Sequence, residues 1–161
     1  MSARILSALL FAGLAACQPT NGGAGGNGAA LERSPAGLAQ VPLTITTANG
    51  KTHPFTVEVA RSPQEQEQGL MNRESLAPDR GMIFPYEPPV AASFWMKNTL
   101  IPLDMIFIRA DGIIARIEAN TVPLSLEPVA AGEPVAAVLE LAGGRSAELG
   151  IAPGARVVWK P

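Results

Sequence analysis

Arg73, Trp95, Lys97, Asn98, Thr99, Asp104 and Glu140 are the residues of this chain whose types and spacing could do chemistry. Asp104 sits between Leu103 and Met105, and Glu140 between Leu139 and Leu141, each inside an apolar run. A carboxylate on a buried face is costly unless a donor pairs with it, and Arg73 and Lys97 are the natural partners. The plainer reading is that both acids alternate outward or form structural ion pairs, which outnumber active sites. The functional reading is a cleft floored by Trp95 and edged by Arg73, Lys97, Asn98, Thr99 and Asp104. An aromatic face beside amide and charged groups suits a sugar-like ring or an anionic envelope polymer. Asp104 and Glu140 could also act as the acid and base of a small glycan hydrolase, if the fold sets them at the required separation.

Other chemistries have thinner support. Met71, Met82, Met96 and Met105, with the single His53, suggest thioether ligands for copper. Methionine is a common core filler, however, and no His or Cys cluster stands at ligand spacing, so neither metal nor cofactor is expected. There is no Gly-x-Ser-x-Gly elbow, phosphate loop or dinucleotide fingerprint. A binding role is therefore favoured over catalysis. A formal net charge of -2 gives no broad basic field, which argues against nucleic acid as a partner.

The elements that must position these residues begin well inside the chain. Met1 to Arg4 give a short basic start, Ile5 to Ala12 an apolar run, and Leu14-Ala15-Ala16-Cys17 resembles a bacterial lipobox. The run is too short for a permanent span but fits a cleavable signal, residues 1–17, with lipid on Cys17. It is the chain's single cysteine, so no internal disulfide can form. Gln18 follows, not the Asp that resembles an inner-membrane retention signal, so the expected place is a periplasm-facing anchor, outer membrane before inner. Residues 18–40, rich in Gly, Ala, Asn and Pro, read as a flexible tether.

Residues 41–161 read as one mainly β domain. Leu43 to Thr46 and Phe55 to Val59 flank Asn49-Gly50 as a hairpin. Ser62-Pro63-Gln64-Glu65 is a capping box that starts a short, polar helix. Gly81 to Phe84, Ser93 to Met96, Leu103 to Ile108, Ile113 to Ile117, Val135 to Leu141 and Arg156 to Trp159 follow as strands. Ser146 to Leu149 can make a helical turn. The expected architecture is a small β-sandwich or distorted barrel of antiparallel strands with one short flanking helix.

Several of these blocks carry a family resemblance. Phe55 to Ala60 with Glu65-Gln66, Gly69-Leu70-Met71 and Arg73 form the first; Gly81-Met82-Ile83-Phe84 the second; Ser93-Phe94-Trp95-Met96-Lys97-Asn98-Thr99-Leu100-Ile101-Pro102-Leu103-Asp104 the third; and Val138-Leu139-Glu140-Leu141 with Gly143 the last. Together they resemble the uncharacterised bacterial and archaeal family DUF192, from about Phe55 to Val158. The resemblance implies a compact, mostly β domain, often behind a secretory or lipoprotein signal, and no established activity, substrate or metal. Ala142-Gly143-Gly144 departs from the family's usual turn.

Three roles follow as expectations: a non-catalytic envelope domain binding a sugar-like or anionic ligand near Trp95 and Asp104; a protein-interaction module using a sheet edge or the Gln64–Gln68 helix face; or the small hydrolase. The compartment is open to direct test. Cys17→Ser should move the protein from the membrane fraction to the soluble fraction, and continued membrane attachment of the variant would refute lipidation.

Overall fold

The computed structural model describes residues 33–160. The expected signal, Cys17 and most of the expected tether lie outside them. The last part of the tether stretch is folded: Arg33 bridges Ala39 across a turn, and the Val59 N–H donates to the Ala39 carbonyl at 2.9 Å. The fold thus takes in residues from Arg33 and not only those from Val41 onward.

The first two strands are the expected hairpin, β1 (Gln40–Thr46) and β2 (Thr52–Val59), antiparallel around Asn49-Gly50. Helix α1 (Pro63–Gln68) follows and begins as its sequence requires. The Ser62 hydroxyl accepts the Glu65 N–H at 3.2 Å, while the Glu65 carboxylate accepts the N–H groups of Arg61 and Ser62, both at 2.8 Å. Those backbone donors hold the Glu65 carboxyl below its ordinary range.

Here the all-antiparallel expectation fails. Strand β3 (Arg80–Val90) pairs with β2 in parallel. The twenty residues 60–79, with α1 among them, are long enough to carry the chain back to its starting end. The remaining elements are β4 (Ser93–Phe94), β5 (Leu103–Ile108), β6 (Ile114–Glu118), β7 (Val129–Ala130), β8 (Val135–Ala142), a second short helix α2 (Arg145–Leu149) and β9 (Arg156–Trp159). The second helix stands where the helical turn at Ser146 to Leu149 was expected, beside the one flanking helix of the expected architecture.

Seven strands form one sheet in the order β6-β5-β8-β3-β2-β1-β9, and β4 pairs with β7 apart from it. The large sheet curls into a half-barrel. Its ends approach where Ile113 bridges Arg156 and the Val157 N–H reaches the Gly112 carbonyl at 2.8 Å.

Both faces of this sheet are buried. Inside the curl, Val41, Leu43, Phe55, Val57, Ile83, Ile106, Ile114, Leu139, Leu141 and Val157 form one core to which every strand of the large sheet contributes. Outside it, Met82, Phe84, Met105, Phe107 and Val138 form a second core, covered by Leu70, Met96 and the small sheet. Phe94 of β4 meets Phe84 edge-on, with ring centroids 5.0 Å apart. The buried residues of both clusters come from Val41 to Val157, with Leu38 packed against the outer one and Trp159 against the inner.

The inner core leaves no room at Gly81. A Cβ there would stand 2.5 Å from the Glu140 carbonyl oxygen and 2.8 Å from Leu141 Cδ2. Gly81→Ala should therefore cost about 2–4 kcal/mol in equilibrium denaturation; a change under about 0.5 kcal/mol would show a looser interior than this geometry allows.

Candidate functional site

Strand alternation decides which candidate residues can meet. Glu140 on β8 lies opposite Met82 of β3 and Met105 of β5, so its side chain joins the outer face. Asp104 lies opposite Leu141 and is sent to the inner side. The two carboxyls thus stand on opposite faces of the sheet. They cannot share a glycosidic bond, and the hydrolase built on this pair is excluded.

Asp104 is fully buried and saturated. One carboxylate oxygen accepts the N–H groups of Asn120 at 2.9 Å and Gly144 at 2.8 Å, and the other accepts that of Ser146 at 2.7 Å. It fastens the loop after β6 and the start of α2 to β5, and offers nothing to a ligand. Arg73 is likewise engaged elsewhere than expected. Its guanidinium forms a two-pronged pair with Glu58, at 2.6 and 2.7 Å, which raises the Arg73 pKa. The partners assigned from sequence to Asp104 and Glu140 are thus replaced by backbone amides in one case and by nothing in the other.

Among the described residues Glu140 has no partner. It is 4% exposed, and burial alone pushes its carboxyl up to about 8, with no hydrogen bond or cation acting on it. It borders an open cleft of about 250 Å³ with Trp95, Thr99, Tyr86, Phe94, Ser93 and Met71. Tyr86 lies two residues beyond Phe84 on β3, and burial, with the Glu140 charge, pushes its phenol up to about 12. Near neutral pH the acid therefore carries its proton and presents one O–H donor and one acceptor oxygen.

The turn from Ser93 to Leu100 builds the cleft's other wall. Met96 is the buried peg, 1% exposed, and the Thr99 N–H closes on the Met96 carbonyl at 3.0 Å. Asn98 takes a left-handed conformation at φ 54°, which asparagine tolerates better than most residues. Its carbonyl accepts the Asn72 N–H at 2.8 Å, tying the turn to the segment after α1. Thr99 is buried, whereas Trp95 is 49% exposed, with the Lys97 ammonium 5.1 Å from its ring centroid.

Of the residues singled out from sequence, Trp95, Thr99 and Glu140 therefore share the cleft, and Lys97 and Asn98 belong to the same turn. Arg73 and Asp104 do not join them. Tyr86 and Ser93 were missed, and Met71 was weighed only as a thioether ligand. Tyr86 had a legible signal, since it is the chain's single tyrosine and keeps the alternation of Met82 and Phe84. The methionine and histidine set is divided: Met82 and Met105 are on the outer face, whereas His53 shares the inner-facing alternation of Phe55 and Val57.

Comparison with known proteins places the chain. The model of DUF192, described only as "Uncharacterized ACR", matches residues 44–159. The chain belongs to the DUF192 family. A crystal structure of a Novosphingobium aromaticivorans protein of unknown function is 47% identical, with a TM-score of 0.78, covering 82% of this chain and 94% of that one. A Sinorhizobium meliloti protein, described as a candidate transcription regulator, is 46% identical with a TM-score of 0.74, covering 76% of this chain and 95% of that one. No curated protein matches. The matched region makes up nearly all of both crystallised chains.

The unpartnered acid predicts a definite pH response. Unfolded, its carboxyl titrates near 4.5; folded, near 8. Between those values the folded chain keeps a proton that the unfolded chain has lost. The acid's contribution to stability is thus whole below 4.5, declines as pH rises, and is fully lost above about 8. Glu140→Gln should be near neutral at the acid end and stabilising by about 2–4 kcal/mol at the alkaline end. Urea denaturation across that range checks it; identical pH profiles for the two proteins would mean that Glu140 titrates normally.

Proposed function

We propose that this DUF192 domain is a non-catalytic binding module whose cleft takes a small neutral polyhydroxylated ligand, of the size of a sugar ring. The observation that carries the reading is a buried carboxyl without a partner at the border of an open cleft walled by a half-exposed tryptophan. A protonated acid can donate to one hydroxyl and accept from another, while Thr99, Ser93 and Tyr86 add hydroxyl groups at the rim. The Lys97 ammonium stands 5.1 Å from the centroid of the half-exposed Trp95 ring, which gives the cleft an aromatic surface for stacking. A volume of about 250 Å³ admits one ring rather than a long chain segment.

An anionic ligand is the weaker fit. The Arg73 cation is held by Glu58, and the acid beside the cleft would repel negative charge whenever it ionised. The reading includes export as a lipoprotein: Cys17 carries the anchor, residues 18 to about 32 the tether, and the periplasmic face of an outer membrane is the working place. That part rests on the lipobox-like sequence alone.

Calorimetry on residues 18–161 with a panel of neutral, anionic and cationic saccharides tests the site. Saturable binding of a neutral member is expected, weakening above about pH 8 as Glu140 loses its proton. Trp95→Ala should weaken that binding about tenfold or more, while costing only about 1 kcal/mol of stability because the ring is half exposed. Absence of any saturable binding, or affinity unaltered by both Trp95→Ala and Glu140→Ala, would remove the cleft from consideration.

A further inference from the structure

We infer that two adjoining loops, 95–100 and 121–127, form an apolar prow that seats the domain on a lipid bilayer. Among the described residues seven large hydrophobic side chains are exposed, and five of them belong to these loops: Trp95, Leu100, Val122, Leu124 and Leu126. The other two, Val90 and Val158, are isolated in sequence from them. Backbone bonds join the loops into one body. The Met96 N–H donates to the Ser125 carbonyl at 2.9 Å, and the Leu124 N–H to the Thr99 carbonyl at 3.1 Å.

The tip is built against both solvation and backbone preference. Val122, Leu124 and Leu126 alternate outward at 69%, 57% and 65% exposure, with Pro123 and Ser125 between them less exposed. Leu124 is held at φ 63°, a left-handed conformation that bulky side chains avoid. Projecting a leucine into water from a left-handed backbone is costly to an isolated fold, and such outliers cluster where function needs them.

The form of the surface points to lipid as the occupant. Separate aliphatic side chains at a loop tip, with a tryptophan at its margin and the Lys97 ammonium over that ring, match the requirements of the headgroup boundary. The chain outside the described residues agrees. The expected anchor at Cys17 lies sixteen positions before Arg33, a length that as a random coil would reach roughly 20–25 Å. Prow and cleft meet at Trp95, but the inference does not need the cleft to be filled.

The test uses residues 18–161, so that no leader or acyl chain can mask the loops. Trp159→Phe leaves Trp95 as the only tryptophan. Mixed with phosphatidylcholine vesicles holding a minor share of phosphatidylglycerol, this protein should co-sediment, its emission should shift to the blue, and brominated acyl chains should quench it. Leu124→Ser with Leu126→Ser should weaken vesicle partition about tenfold or more. Circular dichroism should confirm an unchanged fold, and saccharide affinity, which depends on Glu140 and Trp95, should be retained. Failure of the Trp159→Phe protein to bind vesicles, undiminished binding by the double leucine variant, or dimerisation through the leucines in place of lipid binding would each overturn the inference.

Discussion

Burial of both faces of one curled sheet is the constraint on which the rest of this molecule depends. A sheet with a single buried face would put alternate residues of every strand in water, and Glu140 would be an ordinary surface acid. Here the inner face closes on itself and the outer face is roofed by Leu70 and Leu76 of the segment after α1, the turn after β4 and the small sheet. Every polar group on β5 and β8 must then find a partner under cover. Asp104 finds three backbone amides. Glu140 finds none, and the same roof that dries it leaves an opening beside it.

The contrast between the two acids separates architecture from function. Asp104 repays its burial by satisfying N–H groups that the loop after β6 and the first turn of α2 would otherwise leave unbonded. Removing it would loosen three segments at once. Glu140 satisfies no such group among the described residues. Its raised pKa means that the fold tolerates the acid in neutral form, a state that stays compatible with the dry surroundings and ready for hydroxyl partners. A merely structural role would be served better by glutamine or methionine at that position.

Much of the fold was legible because local chemistry and tertiary structure agree. The Asn49-Gly50 turn, the Ser62 capping box and the continuous apolar run of β5 each announce themselves over a few residues. The parallel pairing of β2 with β3 was hidden, since it depends on where the segment 60–79 delivers the chain rather than on any local pattern. The cleft was half legible. Trp95, Thr99 and Glu140 stood out by type, but Glu140 faces away from Asp104 through one step of strand register that spacing alone does not fix. Arg73 was misassigned for a related reason: Glu58 alternates against Phe55, Val57 and Val59, and so reads as a solvent-facing residue until the outer face proves to be covered.

The turn from Ser93 to Leu100 links the two proposals physically. Ser93, Phe94, Trp95 and Thr99 of this turn wall the cleft, while Met96 and Thr99 bond to the leucine-bearing loop, so one turn serves both. Seating that prow in lipid would replace water near Trp95 with headgroups and acyl chains, and so lower the polarizability of the medium beside Glu140. Desolvation is the force already raising its pKa, and more of it acts in the same direction. The membrane-bound domain would therefore keep its proton to higher pH than the free one. Its preference for neutral ligands would sharpen at the surface where a tethered domain would meet them.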